Sequence, residues 1–251
     1  GILKLSGITM KFGGVVAVNN LNIDVEKGNI EALIGPNGAG KTTAFNTITG
    51  VYTPTEGSVY FNDEEITGIA PDKITKKGIA RTFQNIRLFK NLSVLDNILI
   101  ANHLHIKSNF LSSTLRMPWS RAEEKYMKKK SEMLLEKLGL LSINNEKAHS
   151  LPYGEQRKLE IARALATDAK LLLLDEPKLL LLDEPAAGMN PNETEKLAEF
   201  IRTIRDEFNL TILMIEHHMD LVMEISEKIY VLDFGHLIAD GTAEQVRNDP
   251  K

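Results

Sequence analysis

The chain has no cysteine among its 251 residues. That excludes a disulfide framework, a thiolate metal site and a thiol nucleophile, and it fits a reducing compartment. Positive charge is not in excess either. A net charge of -4 and a pI near 5.9 argue against a protein that holds nucleic acid through a basic surface, so no nucleic-acid partner is expected. No apolar run approaches the roughly 20 residues of a membrane-spanning helix. The opening "GILKLSGITMKFGG" lacks the apolar stretch and small-residue cleavage site of a signal peptide. These absences lead us to expect a cytoplasmic chain whose link to any membrane runs through a partner. Metal-ligand clusters are also scarce. His103 and His105 stand two apart with no carboxylate or third histidine nearby, and read as surface residues. The length allows one large domain, or a core domain carrying a smaller lobe.

What is present begins with "IEALIGPNGAGKTTAFNTITG", Ile30 to Gly50. A short apolar run suited to a buried parallel strand meets a glycine loop and then a helix that stops near Gly50. Gly35 to Thr42 matches G-x-x-x-x-G-K-[ST] at every defined position. In such a loop, successive backbone N–H groups turn toward phosphate oxygens while the helix N-terminus faces the same anion. Lys41 is placed to reach the β- and γ-phosphates, and Thr42 to offer a hydroxyl to Mg²⁺. The strand, loop and helix in this order predict binding of a nucleoside triphosphate.

The neighbouring segments narrow the class. Before the loop, alternating residues with turns at Gly13-Gly14 and Lys27-Gly28 predict an antiparallel sheet, to which Gly57 to Thr67 adds. Phe12, read as a turn residue, either stacks on adenine or packs beneath the sheet. Gln84 follows a short strand-like run, and the chain then reads mainly as helix as far as Leu151. Within it, Ser120 and Glu123 form a capping box and Gly139 a stop. Lys128, Lys129 and Lys130 are interleaved with glutamates and read as a solvated face. "LPYGEQRKLEIARALATDAK" turns at Tyr153-Gly154. A helix then begins at Gly154, with Leu159, Ile161, Ala162, Leu165 and Ala166 on its apolar side, and offers a second anion-binding N-terminus. Further on, a helix capped near Asn192 precedes "LTILMIEHHMDLVMEI", a strand ending at Glu216-His217. His217 at that edge is a candidate for the γ-phosphate or the attacking water.

With these segments in this order the chain resembles, over its whole length, the ATP-binding subunit of ABC transporters. The Walker A loop is Gly35 to Thr42, the Q-loop glutamine matches Gln84, and the signature matches Leu151 to Gln156. Walker B is "LLLLDEP", the D-loop "AAGMNP", and the switch histidine matches His217. "RTFQ", the long insert, "LPYGEQRKLEIARALA" and "IADGTAEQVRNDP" look like the branched-chain amino-acid importer subgroup. The resemblance implies an α/β fold: a P-loop NTPase core with a mostly parallel sheet flanked by helices, an antiparallel β-subdomain, and an α-helical subdomain. The core and β-subdomain would span about 1–90 and 167–251, the helical subdomain about 91–166.

It further implies ATP and Mg²⁺ as ligands, with hydrolysis by Glu184, His217 and Gln84. ATP would be held by Phe12, by Gly35, Pro36, Asn37, Gly38, Ala39, Gly40, Lys41, Thr42 and Thr43, and by Tyr153, Gly154 and Glu155 of the signature. Mg²⁺ would be held by Thr42, Gln84 and Asp183. Two such subunits would sandwich ATP and drive integral membrane permease subunits, served in turn by a periplasmic or extracellular substrate-binding protein. The chain would then sit peripherally on the inner face of the cell membrane. A soluble ABC-type ATPase acting on DNA or ribosomes, and an ATP-binding module impaired in hydrolysis, are the rival readings.

Three features depart from the family pattern. Pro152 stands where the signature usually has serine, so backbone N–H groups from Gly154 onward must carry more of the phosphate contact. Asn190 replaces a common D-loop aspartate. Walker B is written twice, "KLLLLDEPKLLLLDEP" from Lys170 to Pro185. One placement puts Asp175 and Glu176 at the working strand end. The other uses Asp183 and Glu184, keeping the glutamate joined to "PAAGMNP". Loop length costs little, whereas disturbed catalytic positioning costs on the order of 10²-fold in rate, so the second is favoured. A third reading makes the duplication foreign to the working protein, which an intact mass differing by one eight-residue block would reveal.

Overall fold

The computed structural model describes residues 1–82, 88–108, 121–167 and 178–249, with backbone alone at 103–108, 121–123 and 167. Gln84, the Ser120 cap, the side chains of His103 and His105, and the first block with Asp175 and Glu176 therefore lie outside the described residues. The chain divides into two compact units, Gly1–Gln84 with Asp175–Lys251, and Asn85–Leu174. The sequence places those divisions near 90 and 166.

The first unit contains two sheets. β1 (Leu3–Phe12) and β2 (Val15–Val25) form an antiparallel hairpin across Gly13-Gly14. Phe12 is thus the last paired residue of β1, opposite Val15, and not a turn residue. β3 (Ile30–Ile34) leaves this sheet and leads through the glycine loop into α1 (Lys41–Ile48). β4 (Glu56–Phe61) and β5 (Glu64–Glu65) return to the first sheet, giving the order β2-β1-β4-β5. α2 (Pro71–Lys76) starts on a proline whose missing N–H is one that a helix start leaves unpaired anyway, and β6 (Ile79–Arg81) follows.

In the second unit, α3 (Val94–Ser108), α4 (Arg121–Lys137) and α5 (Tyr153–Thr167) are joined partly by 3₁₀ turns at Leu141–Ile143 and Ala148–Ser150. Gly139 closes α4 at a φ of +69°. Burial lowers the pKa of Lys130, so that lysine is only partly solvated, while Lys128 and Lys129 are exposed. α5 begins at Tyr153, one residue before the expected Gly154, and Leu159, Ile161, Ala162, Leu165 and Ala166 are all buried. Buried Asn97 organises the entry to α3. Its side chain accepts from the Phe89 N–H and donates to the carbonyls of Phe89 and Ser93.

The chain returns to the first unit through β7 (Lys178–Asp183), α6 (Pro191–Phe208), β8 (Leu210–Ile215), α7 (Met219–Ile225), β9 (Lys228–Asp233), β10 (His236–Gly241) and α8 (Ala243–Arg247). The second sheet runs β10-β9-β3-β8-β7-β6, with β10 antiparallel to β9 and the other pairs parallel. β3, β7 and β8 are buried at every position, which explains why they are mostly apolar, with Glu31, Thr211 and the end residues Lys178 and Asp183 as the buried polar exceptions. β7 is the second copy of the doubled block. It pairs with β6 on one side and β8 on the other, so Leu179 to Leu182 have full cover.

Two boundaries differ from expectation. α6 is capped by Asn190, not Asn192. The Asn190 side chain accepts from the Glu193 N–H while the Glu193 carboxylate accepts from the Asn190 N–H. The residue that departs from the D-loop pattern is therefore a helix cap. β8 ends at Ile215, before Glu216 and His217, and the rest of that apolar segment coils into α7 because its buried residues, Leu221, Val222 and Ile225, recur at helical spacing.

Candidate active site

The glycine loop is shaped by what presses on it. At Gly35 the backbone has a φ of +150°, and a Cβ there would sit 2.0 Å from the Leu232 carbonyl oxygen of β9. At Gly40, the residue before α1, φ is +104° and a Cβ would lie 2.7 Å from the Ala17 carbonyl oxygen. Only glycine fits either place. Pro36, Asn37 and Gly38 are exposed and Ala39 is buried, its carbonyl accepting from the Gly235 N–H of the β9–β10 turn. Thr42 and Thr43 lie in the first turn of α1, Thr42 exposed and Thr43 half-buried. Both belong to a turn whose leading N–H groups have no helical acceptor.

Lys41 is buried, and its Nζ donates to the Gly35 carbonyl at 2.7 Å and the Pro36 carbonyl at 2.9 Å. Burial lowers the pKa of this ammonium, and the charges of Glu184 and Asp183 work in the opposite direction. The loop and the end of β7 therefore share one electrostatic site. Phe12 is 43% exposed, with its ring edge-on to Tyr52 at 5.2 Å between centroids. It is not packed beneath the sheet.

Asp183 ends β7. Its N–H donates to Thr82 Oγ1 at 3.3 Å, and its Oδ2 accepts from Arg81 Nη2 at 2.7 Å. Arg81 also donates to Asn46 of α1 and lies over the Phe45 ring. Asp183 Oδ1 is buried and has no hydrogen-bond partner among the described residues. Leaving such an acceptor unpaired costs on the order of 1–3 kcal/mol. An orphaned carboxylate oxygen next to a phosphate loop fits a hydrated magnesium ion, which takes oxygen ligands and keeps several waters.

Glu184 follows with a φ of +48°, a left-handed geometry that a non-glycine residue adopts at some cost. Its N–H donates to the Ile215 carbonyl, and its Oε1 lies 3.8 Å from His217 Nδ1. The histidine side chain is half-exposed whereas Glu184 is mostly covered. The structure thus brings Lys41, Asp183, Glu184 and His217 into one region of the first unit. Reading the residues alone missed two charged participants, Arg81 and Glu216. Both stand at the ends of short apolar strands, and a charge in that position was the available signal.

The signature segment lies in the other unit. At the start of α5, Tyr153 is partly exposed with the Arg157 guanidinium over its ring at 5.5 Å. Gly154 and Glu155 are half-buried, and Glu155 pairs with Lys158 at 3.0 Å. Pro152 closes the segment by accepting from the Gln156 N–H.

Comparison with known proteins gives a consistent result. Residues 18–179 match the family described as "ABC transporter". That match ends inside β7, so it takes in the first block and stops short of Asp183, whereas the sheet is built with the second. The chain is 47% identical over 249 residues to the high-affinity branched-chain amino acid transport ATP-binding protein BraF of Pseudomonas aeruginosa, covering 99% of this chain and 94% of that one. It is 45% identical, with the same coverage, to the corresponding protein LivG of Escherichia coli K12. Among solved structures, it is similar to the ADP conformation of MJ1267, an ATP-binding cassette of an ABC transporter. The TM-score is 0.82 at 32% identity, over 99% of this chain and 95% of that one.

Proposed function

The chain belongs to the ABC transporter family and is an ATP hydrolase of that type, and from this we propose that it powers the import of branched-chain amino acids. The names and coverage of the relatives support that cargo, and they favour transport over action on DNA or ribosomes.

The observation that carries the chemistry is the meeting of Lys41, Asp183, Glu184 and His217. Phe12 offers an exposed ring to adenine. Gly35 to Gly40 present backbone N–H groups to the phosphates, with Lys41 as the cation and Thr42 and Thr43 at the helix start. Glu184 orients the attacking water and takes its proton, and His217, 3.8 Å away, contacts the γ-phosphate. Mg²⁺ bound with ATP neutralises phosphate charge. On this chain Asp183 and Thr42 would hold it, and Gln84 joins them by family resemblance.

Tyr153, Gly154 and Glu155 would close on the nucleotide of a second ATP-binding subunit in a two-fold sandwich. Permease subunits would carry the cargo across the membrane and place this chain on its inner face. Among the described residues no helix is long and apolar enough to cross a membrane, so coupling to transport runs through those subunits.

Size exclusion of Glu184→Gln with and without ATP tests the reading. Hydrolysis should fall by about 10²–10⁴-fold, the usual worth of a general base, while ATP binding persists and the ATP-bound dimer accumulates. Undiminished hydrolysis would return the chemistry to Asp175 and Glu176.

A further inference from the structure

Glu216 is a charged residue with no measurable exposure, set directly after the apolar strand β8. A carboxylate in that environment is tolerated only where hydrogen bonds replace its water. Here they do. One oxygen accepts from the Ala186 N–H at 2.8 Å. The other accepts from the N–H groups of His217 at 2.9 Å and His218 at 3.0 Å, and lies 3.2 Å from His218 Nδ1. The Glu216 N–H itself points to the Leu33 carbonyl of β3, the strand that opens into the glycine loop.

One buried side chain therefore ties the turn after Glu184 to the backbone of His217. The turn after Glu184 has two bonds of its own, from the Ala187 N–H to the Glu184 carbonyl and from the Met189 N–H to the Ala186 carbonyl, but neither reaches the His217 segment. Glu184 is in the left-handed region, and its own N–H bond reaches only to Ile215. Glu216 and the two histidines also present atoms within 4.8 Å of one another, as a metal site would. Both carboxylate oxygens are already accepting, however, so a bound cation would have to displace those bonds.

From this geometry, and resting on the reading of Glu184 and His217 given above, we infer that Glu216 is a positioning residue for hydrolysis. Its carboxylate sets the distance between the base and the γ-phosphate contact. Only an acceptor with two oxygens does this, since Ala186, His217 and His218 all offer donors.

The test is Glu216→Gln in the full chain, compared with wild type, Glu184→Gln, His217→Ala and the Glu216→Gln/His217→Ala double variant. Circular dichroism establishes folding, fluorescent-nucleotide titration the affinity, and steady-state assay kcat and KM. The amide turns one acceptor into a donor facing other donors, so kcat should fall about 10²-fold, the scale of a roughly 1 Å misplacement. KM and nucleotide affinity should stay within about twofold. The double variant should be no slower than the slower single, as expected of residues acting through one another.

A folded Glu216→Gln with wild-type kcat overturns the inference. So does a loss that follows nucleotide affinity, or penalties that multiply in the double variant. Should the amide fail to fold, Glu216→Asp keeps the charge and shortens the reach. It should bind nucleotide normally with reduced kcat, and an unchanged kcat counts against the role. Normal hydrolysis by Glu184→Gln would instead remove the reading on which this inference rests, so the two failures are distinguishable.

Discussion

The glycine loop and the carboxylate cluster face the same chemistry and are built in opposite ways. The loop is contiguous, from Gly35 to Thr43, and its own glycines permit the positive φ angles it needs, while the Leu232 and Ala17 carbonyls leave no room for a side chain at Gly35 and Gly40. The cluster draws Arg81 from β6, Asp183 and Glu184 from the end of β7, and Glu216 and His217 from the end of β8. Its geometry is set by strand register: Arg81 opposite Leu181, and Asp183 opposite Ile215. A slip of one residue would turn every side chain of β7 to the other face. A repeated block is harmless to the first kind of site and a direct hazard to the second, because it offers the sheet two candidate strands. The structure pairs the second.

Breaking the register-built site should do more damage than altering the loop. Arg81→Met leaves the Asp183 carboxylate buried without its cation. Removing one partner of a buried pair costs about 3–5 kcal/mol, and thermal or denaturant unfolding should show a loss of that size. Adding Asp183→Asn should recover part of that stability, without recovering hydrolysis. If Arg81→Met unfolds like wild type, the pair does not hold β6 to β7.

Lys41→Met probes the loop. A hydrogen bond to a charged group contributes about 1.5–3 kcal/mol, so ATP affinity should drop by roughly 10- to 100-fold in a fluorescent-nucleotide titration. Stability should change little, since the hydrogen bonds of the lysine go to carbonyls of its own loop and burying its charge offsets the attraction of Glu184 and Asp183. A large fall in Tm here would erase the contrast between the two regions.

The smallest effect is expected at Glu31, buried in β3 beneath the loop. Burial raises its pKa above the ordinary carboxyl value of 4.5, with hydrogen bonds from the Glu26 N–H, Tyr230 and Asn29 opposing. The folded state then holds this proton to higher pH than the unfolded state does. Its contribution to stability is therefore present at low pH and is lost as pH rises from about 4.5 through the raised value. Glu31→Gln can still accept from the Glu26 N–H and donate to the Tyr230 hydroxyl, which itself donates to the Asp24 carbonyl. The variant should lose that slope and melt at a higher temperature than wild type at neutral pH, where the buried carboxylate is otherwise charged. An unchanged pH slope would mean that Glu31 does not titrate in this range.

Much of this was legible beforehand where chemistry and spacing coincide. The loop, the hairpin at Gly13-Gly14 and the apolar strands all follow from local patterns. Asn190 was harder to place, since a cap and a D-loop residue look alike in sequence, and the hydrogen bond from Glu193 distinguishes them. Glu216 read as the mere end of a strand, because nothing local tells a buried acceptor from a solvated one. Nothing in the sequence around Arg81 marks its role, which its 2.7 Å bond to Asp183 supplies.

By itself, then, the order of residues determined a phosphate-binding loop, the element types around it and the family, because each rests on contacts within a few positions or on a combination of motifs. The choice between two identical sequence blocks was decided only by tertiary structure, as was the meeting of Asp183, Glu184, Glu216 and His217. Burial and pairing across a sheet depend on residues far apart in the chain, and an apolar run carries no mark of which neighbour will cover it.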